Sequence, residues 1–371
     1  MKIFCLKTYT LIFIGLFVFI LSCKKETPIS DPIPYQATPY QFEIPLHFPT
    51  NLNIPEDNPM TVEGVELGRY LFYDERLAGR ADEGLYMSCG TCHLQENSFE
   101  NGSGHGIGID GGITANVMLP LINLLWNPGT YAWNGSVPSI EDDIMGVVTD
   151  PTEFNSTHEK VVNAISNISR YPPKFEKAFG TSEVTMDRIA KALAQFIRTF
   201  VTSNSRFDQW MRGETQLTPE ELQGFVLFTT EEGADCFHCH GGDGNPLFTT
   251  HLFYNNAKDG PSINDPSDRY SVTGIVSDKG AYKATTLRNI SKTGPYMHDG
   301  RFSTLDEVID HYSQGLVWSP HVHPLMHKIV DGGAQLIPQE KVSLKAFLLS
   351  LTDEEFINNP DLGKPADLNF P

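Results

Sequence analysis

Cys89-Gly90-Thr91-Cys92-His93 and Cys236-Phe237-His238-Cys239-His240 decide how this chain reads. Both are C-x-x-C-H, the attachment signature of c-type haem. The spacing answers a chemical need, because two thiols must reach the two vinyl groups of one porphyrin while the adjacent imidazole ligates the iron. A zinc site or a redox dithiol is the competing reading of a C-x-x-C pair. A zinc site brings its second pair close by, whereas these two pairs lie far apart in the chain. Two covalently bound haem groups are therefore expected, one on Cys89, Cys92 and His93 and one on Cys236, Cys239 and His240.

The remaining two of the six cysteines lie near the N-terminus. Lys2 and Lys7 flank Cys5 and precede an apolar run from Leu11 to Leu21, too short for a membrane span of roughly 20 residues. The run ends in Ile20-Leu21-Ser22-Cys23, which resembles a bacterial lipobox, where cleavage leaves a cysteine that receives lipid. We expect a signal peptide over residues 1–22, export to the periplasmic side of a bacterial membrane, and a lipid anchor on Cys23. Export agrees with haem attachment outside the cytoplasm and leaves no cysteine for a disulfide. Six prolines from Pro28 to Pro49 predict an extended tether over residues 23–54, with folded chain from about Pro55.

A chain of 371 residues, 40% hydrophobic and 20% charged, is long and apolar enough to bury the cores of two ordinary domains. Its formal charge of −19 disfavours phosphate backbones, so nucleic acid is not an expected partner. The same charge favours a basic redox protein, since opposite net charges speed encounter.

Helical periodicity surrounds the motifs. Leu67, Tyr70 and Leu71 fall on one face of the stretch Gly64 to Phe72, ahead of the first motif. Ahead of the second, Thr218 reads as an N-cap, Pro219 as the first helical residue and Glu221 as the partner in a capping box. Both stretches contain Gly-x-x-Leu-Phe, at Gly68 to Phe72 and Gly224 to Phe228, a short internal repeat. Between them, Ile189, Leu193, Phe196, Ile197 and Phe200 form a core stripe. The expected fold is mainly α, with two cytochrome c-like haem domains over 55–210 and 211–371, few short strands and long loops.

With these motifs the chain resembles the bacterial dihaem cytochrome c peroxidase and MauG family. The resemblance runs from Pro55 to about Thr352 and is carried by Glu66 to Phe72, Trp133-Asn134-Gly135, and Thr286-Leu287-Arg288-Asn289 through Pro295-Tyr296-Met297-His298-Asp299-Gly300. It implies a peroxide-reacting N-terminal haem, a C-terminal electron-transfer haem and one calcium ion between them. It implies reduction of hydrogen peroxide with a small cytochrome or cupredoxin as donor, or MauG-like oxidation of a specific protein or other substrate.

Roles carry over position by position. His93 and His240 take the proximal places. Where some members carry a distal histidine for the first haem, this chain has Ile109, which cannot bind iron, so the first haem is expected to be open; His105 is the nearby substitute. Glu153, in Asp150-Pro151-Thr152-Glu153, matches the distal acid–base glutamate, and Asp143 stands where many members have glutamine. Trp133 matches the tryptophan between the haems. The ninth residue of the segment beginning Thr304-Leu305 is Tyr312, the place of a methionine in the better-known branch and of a tyrosine in MauG-like members. Met297 and His311 are its rivals as second-haem ligand. Thr293 and Pro295 match two carbonyl ligands of calcium, with Asn116 as the side-chain ligand. His321, His323 and His327 read as a loop group, not a metal site.

Overall fold

The computed structural model describes residues 35–242 and 244–369. The described chain is mostly helical. Its strands form two antiparallel pairs, His105–Ile107 with Ile113–Val117 and Phe253–Tyr254 with Tyr282–Lys283. Long loops join these elements and carry most of the candidate functional residues.

The helix Val62–Tyr73 starts where the Thr61 side chain accepts the Gly64 N–H. It buries Leu67, Leu71 and Phe72 against the helix Met186–Ile197, whose stripe Ile189, Leu193, Phe196 and Ile197 is buried as expected. The helices touch at glycine: a Cβ on Gly68 would overlap the Ala192 carbonyl oxygen and lie 2.8 Å from Phe196 Cβ. The second pair repeats this. Thr218 and Glu221 form the expected capping box of the helix Pro219–Thr229, which packs on the helix Pro338–Ser350. There a Cβ on Gly224 would overlap the Ser343 carbonyl oxygen and lie 2.7 Å from Phe347 Cβ. The shared Gly-x-x-Leu-Phe thus marks one helix crossing used twice.

The duplication runs deeper than that. Tyr131-Ala132-Trp133-Asn134-Gly135 and Tyr296-Met297-His298-Asp299-Gly300 adopt the same turn, left-handed at Ala132 (φ 60°) and Met297 (φ 69°), and again at both glycines. Each turn is closed by a bridge, Tyr131 with Val137 and Tyr296 with Phe302. Each leads to a side-chain N-cap, Ser139 for the helix Ile140–Thr149 and Thr304 for the helix Leu305–Gln314.

One apolar core gathers Leu67 through Phe200 and the other Phe207 through Leu351. The chain then returns, because Phe356, Ile357 and Leu362 pack in the first core. Arg69 and Tyr73 bond the carbonyls of Gly363 and Leu362 at 2.8 and 2.7 Å. The C-terminal strap therefore fastens the first half, not the second.

Packed chain also begins earlier than Pro55. Val62 N–H donates to Thr38 O and Tyr40 N–H to Met60 O, and Phe48 is buried with its ring 5.1 Å from that of Trp126. Residues 38–54 are consequently part of the fold rather than an extended tether: their aromatic side chains find a pocket that proline content does not reveal. The expected signal peptide, Cys5 and Cys23 lie outside the described residues. Among the described residues no helix is long and apolar enough to cross a membrane.

Candidate haem cavities and the passage between them

The single helical turn Cys89–Cys92 ends at His93, whose Nδ1–H donates to Phe99 O at 2.6 Å. That bond fixes the tautomer and leaves Nε2 bare, the arrangement a metal-bound histidine needs. Burial holds the ring well below its ordinary pKa, at about 4, so it is neutral and competent to ligate. Cys89, Cys92 and His93 open on a cavity of about 890 Å³ whose wall includes Leu193, Asp143 and Glu153.

The second motif repeats the device. His240 Nδ1–H donates to Thr285 O at 3.1 Å, and burial again lowers its pKa to about 4. Cys236, Cys239 and His240 open on a cavity of about 1630 Å³, with Met297 and Tyr312 also in its wall. Paired thiols, a histidine with one nitrogen committed and a large apolar chamber fit a covalently held haem in each.

Glu153 is placed by its loop. Its N–H donates to Asp150 O, the Asp150 carboxylate takes the Thr152 N–H at 2.7 Å, and Glu153 O accepts the Ile109 N–H at 2.8 Å. Burial, with Asp143 and Asp150 adding repulsion, pushes the Glu153 carboxyl up to about 7. Burial also raises Asp143 to about 6, against the pull of Lys283. The first cavity thus holds two carboxyls able to change protonation near neutral pH.

Ile109 packs beside the first core and offers the cavity no ligand. His105 does not border the cavity, and its Nδ1–H donates to Thr114 O at 2.8 Å. In the second cavity, Asn256 Nδ2 donates to the Tyr312 hydroxyl at 2.9 Å and lies 3.4 Å from Met297 Sδ. His311 is buried beside Phe302 and outside the cavity wall. The contest is therefore between Tyr312 and Met297.

Trp133 borders both the second cavity and a passage whose wall also includes His93, Asp143 and Glu153. Its Nε1–H donates to Val117 O at 2.8 Å, which fixes the ring there. The calcium set is less complete. Thr293 and Pro295 border the second cavity, while Asn116 borders the passage and its Oδ1 accepts from Ser267 Oγ at 3.0 Å. These three residues alone do not close the shell of six to eight oxygens a calcium ion takes. No group of three or more His, Cys, Asp and Glu that could hold a metal ion occurs among the described residues. Three wall residues escaped sequence reasoning: Lys283, His251 and Asn256. None belongs to a spacing motif, and only the fold brings them to the cavities.

Residues 62–216 match the family described as di-haem cytochrome c peroxidase. The chain is 34% identical to cytochrome c551 peroxidase of Nitrosomonas europaea over 68% of its length and 73% of that protein's. It belongs to this family. It is also 30% identical to methylamine utilization protein MauG of Methylorubrum extorquens, over 82% of this chain and 83% of that one. Among solved structures, a MauG-like protein associated with microbial copper homeostasis superposes with a TM-score of 0.79 at 32% identity, covering 88% of this chain and 99% of that chain. The diheme peroxidase BthA of Burkholderia thailandensis shares the fold, with a TM-score of 0.64 at 18% identity over 83% and 91%. Membership makes this chain an oxidoreductase of the cytochrome c peroxidase type with haem c as its cofactor.

Proposed function

We propose that this enzyme reduces hydrogen peroxide to water in the first cavity, with electrons from a small cytochrome or cupredoxin entering through the second. The observation that carries the reading is the pair Glu153 and Asp143 in the wall of the cavity that His93 enters, a wall with no second histidine among the described residues. The haems supply the electron chemistry, two electrons and two protons per peroxide giving two waters. Glu153, with a pKa near 7, takes a proton from one peroxide oxygen and returns it to the leaving one. Asp143 lies close enough to raise the Glu153 pKa and keeps one carboxyl of the pair protonated near neutral pH. Trp133 stands on the passage as the electron relay between the cavities. We place the peroxidatic haem domain at residues 38–210, with the C-terminal strap around Phe356 packed on it, and the electron-transfer domain at residues 211–351, the whole exported and held to the membrane by lipid on Cys23. Stopped-flow turnover of peroxide with a reduced small cytochrome, with and without prior one-electron reduction, tests the reading. Turnover without pre-reduction is expected; consumption no faster than by free haem overturns it.

A second reading has its own observation. Tyr312, half-buried and hydrogen-bonded by Asn256, supports MauG-like chemistry, in which peroxide oxidises a specific protein or other substrate. Consumption of two reduced cytochromes per peroxide favours the first reading. Peroxide reaction that leaves the cytochrome reduced favours the second.

A further inference from the structure

Lys283 is 7% exposed and its ammonium forms no ion pair or hydrogen bond among the described residues. Its neighbours are the rings of Tyr131 and Phe253, with centroids 6.0 and 5.8 Å away. Asp143 attracts it from across the passage, and the Arg269 charge repels it. A largely buried lysine with only aromatic faces around its ammonium is costly, and a chain keeps one where an anion arrives to meet it. Beside it stands a second group without a partner. His251 Nε2 is buried with no hydrogen bond, and its backbone is held left-handed (φ 57°) by a bond from its N–H to Thr249 Oγ1 at 2.9 Å. Such backbone is sparsely populated by residues other than glycine and here turns the ring toward the passage wall.

The strand pairing brings the two together. Ala284 N–H donates to Leu252 O at 2.9 Å next to the Phe253–Lys283 pair, and the Lys283 charge acts on the His251 ring, so the two side chains lie near one another. Lys283 borders both the second cavity and the passage, and His251 borders the passage. We propose that Lys283 Nζ and His251 Nε2–H form a two-point carboxylate site at the neck between the cavities, filled by a propionate of one of the chain's own haems. The ammonium supplies charge and the imidazole a directed hydrogen bond. A free small carboxylate has the same chemistry and is the alternative source.

The inference rests on haem loading, and its test reads reduction potentials in the haem-loaded enzyme. A cation beside a propionate favours the reduced iron, so Lys283→Met lowers the potential of one haem. The expected fall is about a tenfold change in the reduction equilibrium, about 59 mV for one electron. Lys283→Arg restores it, and His251→Leu gives a smaller shift of the same sign with less packing lost. Acetate leaves the wild-type potentials unchanged. Two haems per chain with potentials unmoved in both Lys283→Met and His251→Leu overturn this inference alone. Wild-type potentials that move with acetate, and cease to do so in Lys283→Met, overturn the propionate as occupant. A chain that loads fewer than two haems, by pyridine haemochrome, overturns the functional reading as well.

Discussion

Ile109 N–H donates to Glu153 O at 2.8 Å, so the hairpin that carries Ile109 also holds the loop of Glu153, the residue proposed for acid–base work. The contact is tight just before it. A Cβ on Gly108 would overlap the Thr152 carbonyl oxygen and lie 2.7 Å from Glu153 O, and backbone cannot swing aside as a side-chain end can. Gly108→Ala should therefore push the hairpin off the glutamate loop, costing about 1–3 kcal/mol in stability. Peroxide turnover should fall further than Tm alone explains. Guanidinium denaturation and stopped-flow rates check both; an unchanged rate would detach the hairpin from the placement of Glu153.

Glu153→Gln should keep both haems and slow the peroxide reaction by roughly 10²–10⁴-fold, the range of lost acid–base catalysis. The pH dependence supplies a sign. The wild-type rate should rise with pH through about 7 as the carboxyl becomes a base, and the variant's should not. Stability should run the other way. The folded pKa is raised from 4.5 to about 7, so between these values the folded chain holds the extra proton and stability falls as pH rises through the window. Denaturation midpoints across that range should lose part of this slope in Glu153→Gln, with Asp143 keeping the rest.

Cys89→Ala with Cys92→Ala should remove one haem and all peroxide turnover, because that cavity contains Glu153 and Asp143. Pyridine haemochrome gives the count. Full activity with one haem missing would move peroxide chemistry to the second cavity.

The sequence carried the parts of this architecture whose causes are local. The thiol and histidine spacing of both motifs, the Thr218 capping box and the Ile189 to Ile197 stripe each depend on neighbours within a turn or two, and each stands in the structure as read. The duplicated turn at Tyr131 and Tyr296 escaped notice because the two segments share only their Tyr and Gly ends, while Ala132 and Met297 between them share only a positive φ. Lys283 and His251 escaped for another reason. A lone lysine and a lone histidine have no spacing to betray them, and only the fold sets them in one wall, where Ala284 N–H bonds Leu252 O. Residues 38–54 misled through composition, since prolines there shape a packed segment around Phe48.

The last prediction concerns which side chain closes the second iron. Asn256 Nδ2 lies 2.9 Å from the Tyr312 hydroxyl and 3.4 Å from Met297 Sδ, so one amide faces both candidates. Burial raises the Tyr312 pKa, and the Asn256 N–H, donated to the phenol oxygen, works against that rise by favouring the phenolate. A thioether gains little from such a donor, so the amide is better matched to tyrosine. The oxidised enzyme as isolated should then show one high-spin and one low-spin haem and no methionine-to-iron charge-transfer band. Tyr312→Phe should alter the low-spin signal and leave peroxide access at the first haem intact. Asn256→Leu should perturb the same low-spin signal with Tyr312 in place, and Tyr312→Met should raise the second haem's potential, since a thioether disfavours ferric iron relative to phenolate. A methionine band that survives Tyr312→Phe and vanishes in Met297→Leu would give the ligand to Met297 and place the enzyme in the methionine-ligated branch.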